Sequence, residues 1–238
     1  MLFRSAAAIP GEIAGFDHIA KKYGRLTLAE NLQPAIRIAR EGYPVYTKFH
    51  GMLTSSAKVM QRWPAATAVF LPEGVVPEMG HVIRQPDLAV VLEMVAANGR
   101  DSFYKGEFAR KLVDGVRSAG GIWTIRDLAT YEVKEREPLR TTYRGYKLVT
   151  APPPSSGGVA IAQILNILAP YDLAKLDKVT RTHFVVEAMR RAYRDRALYL
   201  GDPDFFDVPI TMLTDHNYAA GLRASIRHDR ATPSSMLP

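Results

Sequence analysis

The sequence has 238 residues, is 47% hydrophobic and 23% charged, and carries a net charge of +7, a balance that suits a globular chain able to bury a core. It contains no cysteine, which excludes disulfides and thiolate metal sites. No apolar run is long enough to cross a membrane, and the basic residues are spread along the chain and mixed with acids, which argues against a nucleic-acid surface.

Met1–Ala8 is too short and too weakly apolar for a secretory signal. From there, Pro10–Tyr23 reads as a helix stopped by Gly24, with Ile13, Phe16, Ile19 and Ala20 as its apolar stripe. Thr27-x-x-Glu30 is a capping box opening a second helix, lined by Leu28, Leu32, Ala35, Ile36 and Ala39 and ended by Gly42. Pro34 lies inside it and is expected to kink or tighten its first turns. Val45–Arg62 is expected to be helical in part, and Trp63-Pro64 to end it. Ala65–Met79, rich in proline and glycine, reads as irregular. Further helices are expected over Leu88–Ala97, Gly106–Ala119 and Thr124–Ala129, with a helical turn at Asp101–Gly106.

Glu132–Thr150 changes character. Strand-prone residues flank a turn at Arg144-Gly145, predicting a hairpin of Glu132–Tyr143 with Tyr146–Thr150; Pro138 suggests an edge or a bulge. Ala151–Gly158, reading A-P-P-P-S-S-G-G, turns the chain into a helix over Val159–Leu168. Its prolines hold the entry extended, its serines offer hydroxyls and N-caps, and its glycines allow close backbone approach. Val179–Leu200 is the longest expected helix, capped by Thr180, with an apolar face of Phe184, Val185, Ala188, Met189, Ala192, Tyr193 and Leu198. A polar turn at Gly201–Asp204, a short turn at Pro209–Leu213 and a helix over Asp215–Ile226 follow. The tail Ala231–Pro238 has little to bury and is expected to fray. An isolated hairpin is marginal in water, so the inventory reads as though part of a sheet were missing.

Four constellations bear on chemistry. Ser155-Ser156-Gly157-Gly158 suits an anion nest or a substrate-adjacent loop, or a plain strand-to-helix corner; the G-x-S-x-G nucleophile elbow is absent. Thr182 and His183 are adjacent in a helical run and point apart, against a nucleophile–base pair. Glu187, Arg190, Arg191, Arg194, Asp195 and Arg196 fall at helical spacings and read as a solvated or interface ion network. Asp202, Asp204 and Asp207 lack calcium-loop spacing and read as turn acceptors. The histidines offer no i, i+4 zinc pair.

Several ordered segments share one resemblance. They are Ile9-Pro10-Gly11-Glu12-Ile13-Ala14-Gly15; Tyr23–Glu30 through Pro34–Ile36 and Ala39–Val45; Gly121–Thr124 through Tyr131; Arg136–Leu139 and Tyr143–Tyr146. Pro152–Gly158 with Gln163–Asn166 follows, then His183, Glu187-Ala188, Asp195-Arg196, Gly201–Pro203 and Val208-Pro209. Over nearly its whole length the chain resembles the later part of the large subunit of the gamma-glutamyltransferase (glutathione hydrolase) family. The resemblance implies an N-terminal-nucleophile hydrolase, an αββα sandwich whose precursor cuts itself before a threonine. That threonine begins the small subunit and its own amine serves as base. The implied reaction moves a γ-glutamyl group from glutathione or another γ-glutamyl compound to water or an acceptor amine, with no cofactor.

The family's carboxylate-binding arginine and its processing threonine match no position here, and Thr182-His183-Phe184 only echoes the family's T-T-H-F run. The expectation is therefore an α+β (α/β) chain, mostly helical with a small hairpin, forming one family fragment over 1–238. Its parts are helices over 10–130, hairpin 132–150, loop 151–158, helices over 159–228 and tail 229–238. No catalytic or metal-binding residue is assigned, and Ser155, Ser156, Gly157 and Gly158 are assigned as pocket-adjacent. The chain alone is expected to be inactive and to need a small subunit carrying the catalytic threonine. Uncovered sheet edges predict self-association, and neither nucleic acid nor membrane is expected as a partner. Family members are often periplasmic or secreted; no compartment is assigned. The alternatives are a cephalosporin acylase or poly-γ-glutamate depolymerase of the same superfamily, a non-catalytic scaffold, and a serine hydrolase using Ser155 or Ser156.

Overall fold

The structure is a computed structural model that describes residues 8–237; the leader reading falls on residues 1–7, outside that range. The chain forms two compact units, Met1–Lys134 and Glu135–Pro238. Both are mostly helical, and each holds one two-stranded antiparallel sheet.

The first unit runs α1 (Glu12–Tyr23), α2 (Leu28–Glu41), β1 (Tyr43–Pro44), α3 (Thr47–Met60), α4 (Pro64–Phe70), a 3-10 turn (Pro72–Gly74), β2 (Val82–Ile83), α5 (Pro86–Asn98), α6 (Asp101–Tyr104), α7 (Gly106–Ser118) and α8 (Ile125–Ala129). The Thr27–Glu30 capping box forms as expected, and a second one joins Thr124 to Asp127. Leu32, Ile36 and Val95 build the apolar seam between α2 and α5. α2 runs on through Pro34. Gly42 ends α2 at φ 95 with its backbone pressed on Val82 and Ile83; a side chain there would meet the Ile83 carbonyl at 2.7 Å, so this turn requires glycine. Pairing of Tyr43 with Ile83 and Pro44 with Val82 makes the short sheet, which the sequence reading did not foresee. Nor did it foresee α4: Pro64 fills a first-turn position where its missing N–H costs nothing, and Ala65–Phe70 is helical rather than irregular.

The α1 stripe is also corrected. Phe16 and Ile19 are exposed, whereas Ala14 and Asp17 are buried. The cause is Tyr104. Its hydroxyl accepts from the Ala14 N–H at 3.2 Å and donates to the Pro10 carbonyl at 2.6 Å. The Ala14 N–H is one of the first-turn donors with no partner inside the helix, and Gly11 supplies no side-chain cap. Tyr104 therefore turns the Ala14 face of α1 inward, onto a cluster with Ala109, Val113 and Leu128. Tyr104→Phe is expected to cost this unit about 1–2 kcal/mol, because a buried donor and acceptor lose their partner. Both tryptophans, Trp63 and Trp123, lie in this unit, so a lowered urea midpoint followed by their fluorescence is the readout. An unchanged midpoint contradicts the assignment.

The second unit runs β3 (Leu139–Tyr143), β4 (Tyr146–Thr150), α9 (Gly157–Leu168), α10 (Lys178–Tyr199), α11 (Ile210–Leu213), α12 (His216–Ala224) and a 3-10 turn (Ser234–Met236). The hairpin closes through Tyr143 opposite Tyr146, with Arg144 and Gly145 both at positive φ, as a two-residue primed turn requires. Its first strand begins at Leu139, not Glu132. Pro138 has no N–H to pair, and the Tyr131 carbonyl is taken by Arg100 at 2.8 Å. The core is Ile167, Leu168, Phe184, Ala188, Ala219, Leu222 and Ile226.

α10 departs most from expectation. Its cap is Asp177, which accepts from the N–H groups of Val179 and Thr180 at 2.9 and 3.1 Å, and not Thr180. Phe184, Ala188 and Ala192 are buried as expected, but Met189, Tyr193 and Leu198 are exposed. Glu187, Arg191 and Asp195 take their place inside, each at 1% exposure. These three, read as part of a solvated or interface ion network, are instead buried within the unit as its polar spine. Glu187 and Arg191 find hydrogen-bond partners there in place of water, and so does one of the two Asp195 carboxylate oxygens.

Candidate functional site

The candidate site is the loop joining β4 to α9, and its position is set from beneath. The Ser155 N–H donates to the Pro152 carbonyl at 3.1 Å, closing a tight turn. Gly158 is buried, and a side chain there would meet the Ala151 carbonyl at 2.2 Å and Thr150 Oγ1 at 2.4 Å. Close approach of α9 to the end of β4 is what Gly158 permits, whereas Gly157 faces open space with nothing nearer than Ser155 Oγ at 3.8 Å. Gly158→Ala is expected to cost about 1–3 kcal/mol through overpacking against backbone. Gly157→Ala is expected to be within about 0.5 kcal/mol of the parent. Paired denaturation curves test this, and equal losses at the two positions contradict it.

Below the loop, α9 carries two polar residues on its buried face. Gln163 Nε2 donates to Asp195 Oδ2 of α10 at 2.6 Å, and the Tyr218 hydroxyl of α12 donates to the same oxygen at 2.9 Å. Burial, then the Asp195 carboxylate, pushes the Tyr218 phenol well above its ordinary range. Asn166 Nδ2 donates to the Thr214 carbonyl at 2.8 Å. Three helices are thus tied across their apolar contacts, and the rotation of α9, hence the direction of its N-terminus, is fixed. Asp195 Oδ1 accepts no hydrogen bond; its nearest cation is Arg194 Nη1 at 3.9 Å.

The loop's own chemistry is limited. Ser156 has helical backbone angles and makes no side-chain cap, so the expected N-cap role is absent. Its hydroxyl instead accepts from Arg196 Nε at 2.8 Å, a partner the sequence reading missed because the two are 40 residues apart. A guanidinium stays protonated and cannot take the serine proton. Thr182 and His183 do not meet: Thr182 Oγ1 donates to the Lys178 carbonyl at 2.8 Å, and His183 Nε2 bonds the Arg227 carbonyl at 2.7 Å. Arg136 pairs with Asp204 at 2.9 Å and Asp202 at 3.6 Å, which absorbs the acidic turn. Among the described residues no group of histidines and carboxylates could hold a metal ion, and no helix is long and apolar enough to cross a membrane. What remains at the loop is an exposed Ser155 hydroxyl and a Ser156–Arg196 pair beside the first turn of α9: donors for an anionic group, without a base.

The model for gamma-glutamyltranspeptidase matches residues 3–238. The chain belongs to that family. The glutathione hydrolase proenzyme of Pseudomonas sp. strain A14 is 42% identical over 95% of this chain and 40% of its own length. The acylase ACY 1 proenzyme of Pseudomonas sp. strain SE83 is 40% identical over 95% of this chain and 41% of its own. Among solved structures, the Helicobacter pylori gamma-glutamyltranspeptidase superposes with a TM-score of 0.92 at 36% identity, over 98% of this chain and 68% of that one. This gamma-glutamyltranspeptidase-family chain thus spans about 40% of the length of the curated relatives. The mostly helical class and the family resemblance both stand. The residues that sequence reasoning missed are Gln163, Asn166, Thr232 and Tyr218. Gln163 and Asn166 left a readable signal, two amides three residues apart on an otherwise apolar helix; Thr232 and Tyr218 left none.

Proposed function

We propose that this chain is scaffold from the large subunit of an enzyme that transfers γ-glutamyl groups to water or an amine by way of an N-terminal threonine. The observation that carries this reading is the family match over residues 3–238. The nucleophile would come from a small subunit, and the 238 residues alone would be inactive. The absence of a nucleophile–base pair among the described residues supports that part. In this reading Ser155, Ser156, Gly157 and Gly158 border the substrate pocket, with Arg196 holding Ser156 toward an anionic substrate group.

A second reading is an acylase of the same superfamily. Its support is that the acylase relative is 40% identical to this chain, close to the 42% of the glutathione hydrolase. The test is hydrolysis of a γ-glutamyl anilide and of a cephalosporin amide by two samples: the 238-residue chain, and the same chain expressed with the coding sequence adjoining it. The first sample is expected to run at the blank rate, and the second to cleave the anilide. Turnover by the 238 residues alone overturns the scaffold reading, and cleavage of only the cephalosporin amide by the longer product favours the acylase.

A further inference from the structure

The segment after α12 is held in an unusual way. The apolar core of the second unit ends at Ile226, and from residue 227 to residue 237 only Thr232 is buried. The segment curls around a cleft of about 690 Å³ lined by its own residues and the end of α12, from Ala224 to Met236, and with one buried residue it has little apolar packing to retain it. Polar ties to α10 do the holding. Thr232 Oγ1 donates to Glu187 Oε2 at 2.6 Å and the Thr232 N–H to Glu187 Oε1 at 3.3 Å. Arg191 Nη2 donates to Thr232 Oγ1 at 3.2 Å, Arg190 Nη2 to Ser234 Oγ at 3.0 Å, and His183 Nε2 bonds the Arg227 carbonyl at 2.7 Å. The His228 ring stands edge-on to Phe184 at 4.9 Å.

Glu187 is the centre of this arrangement. Each of its carboxylate oxygens takes two donors: Oε1 from Arg190 at 2.5 Å and the Thr232 N–H, Oε2 from Arg191 at 2.7 Å and the Thr232 hydroxyl. Two of the four donors belong to α10 itself and two to one residue of the segment. Two of the segment's five polar ties to α10 therefore end on this one side chain, and that side chain's other partners survive if the segment leaves. Elements secured by few apolar contacts and a small number of polar ones open at lower free energy than the core they rest on.

We propose that residues 227–237 form a strap latched to α10 through Thr232 and Glu187, which opens as a unit of its own while α9, α10 and α12 stay folded. Opening uncovers the Glu187–Arg191 pair and frees the path of the chain beyond Thr232. The apolar base of the strap at Ile226 stays in the core and acts as its hinge.

Hydrogen exchange of the whole 238-residue chain tests this. Thr232→Val keeps the volume and leaves Glu187 paired with Arg190, Arg191 and the N–H of position 232, so it removes the hydroxyl half of the latch from the strap side alone. Exchange at residues 229–237 is expected to rise about tenfold or more, from the loss of the hydroxyl's bonds to Glu187 and Arg191, while α9, α10 and α12 keep the parent's rates. Glu187→Gln attacks the same latch from the helix side. It puts an amide donor where only acceptors fit, and is expected to free the strap at least as much. Unchanged exchange at 229–237 in Thr232→Val overturns the proposal. So does an equal rise in α9, α10 and α12, which would make the segment part of the core.

Discussion

Arg191→Ala is expected to destabilise the second unit by about 3–5 kcal/mol, the usual cost of breaking a buried, hydrogen-bonded ion pair from one side. Arg191 is the largest fully buried side chain among the described residues. Its Nη1 bonds the Glu187 carboxylate at 2.7 Å and the Glu187 carbonyl at 3.0 Å. Its Nε reaches the Leu222 carbonyl at 2.9 Å and Ser225 Oγ at 3.0 Å, and Nη2 reaches Ser225 Oγ at 2.7 Å. One guanidinium thus joins α10 to the C-terminal turn of α12. Truncation leaves a carboxylate with one cation fewer, the Glu187 and Leu222 carbonyls each with one donor fewer, and a cavity. Arg191→Met separates these effects, since it fills most of the volume and restores no charge. If the electrostatic part dominates, Met should recover little, and if the cavity dominates, most of the loss should return. Because both tryptophans lie in the first unit, the measurement is native-state hydrogen exchange in α9 and α10. Protection should fall roughly a hundred- to several-thousand-fold, by the conversion of about 1.4 kcal/mol per decade. A fall below tenfold contradicts the buried-pair reading.

Acid should weaken the same unit through Glu187. Burial by itself pushes this carboxyl up, but hydrogen bonds from Thr232, Arg191 and Arg190 outweigh it and hold it at about 2, below the ordinary 4.5. The unfolded chain therefore binds this proton before the folded one does. The stabilisation is fully present above the unfolded value near 4.5 and is lost as the pH falls through about 2. Across that window the linkage amounts to about 3 kcal/mol. Glu187→Gln removes it: the stability gap between parent and variant in the second unit should be widest above pH 5 and narrow by about 3 kcal/mol toward pH 2. A gap that stays constant over this range shows that Glu187 does not titrate as described. Asp177 is also held low, through its hydrogen bonds to Thr180 and Val179, but it remains in both proteins and cancels in the comparison.

How much could be read in advance follows from the range of each interaction. The Thr27–Glu30 box, the Gly42 stop, the Arg144-Gly145 turn and the corner leading into α9 all depend on residues within about four positions of one another. Local rules locate such features. The start of β3 at Leu139 was half legible, since Pro138 announced the break but not how the preceding residues are held. The face of α10 was misread for one reason. Periodicity ranks residues by hydrophobicity, and a polar residue enters the core when a distant chain segment supplies its partners. Asp195 needs Gln163 and Tyr218; Glu187 needs Thr232; Arg191 needs Ser225 and the Leu222 carbonyl. None of those partners is visible from α10, except the Glu187–Arg191 spacing itself, which reads equally as a surface pair.

The same division governs the candidate site. From sequence alone, Ala151–Gly158 is a rigid corner and the piece that most plainly carries the family likeness. That much rests on proline and glycine stereochemistry, which is local. Which glycine is indispensable, that Ser156 is held by Arg196 instead of capping α9, and that a carboxylate on α10 gathers the segment after α12 were decided only in three dimensions. The physical reason is that burial removes water as the alternative partner. Each buried polar atom must then find its match across the fold, and the identity of that match is a property of packing, not of neighbouring sequence.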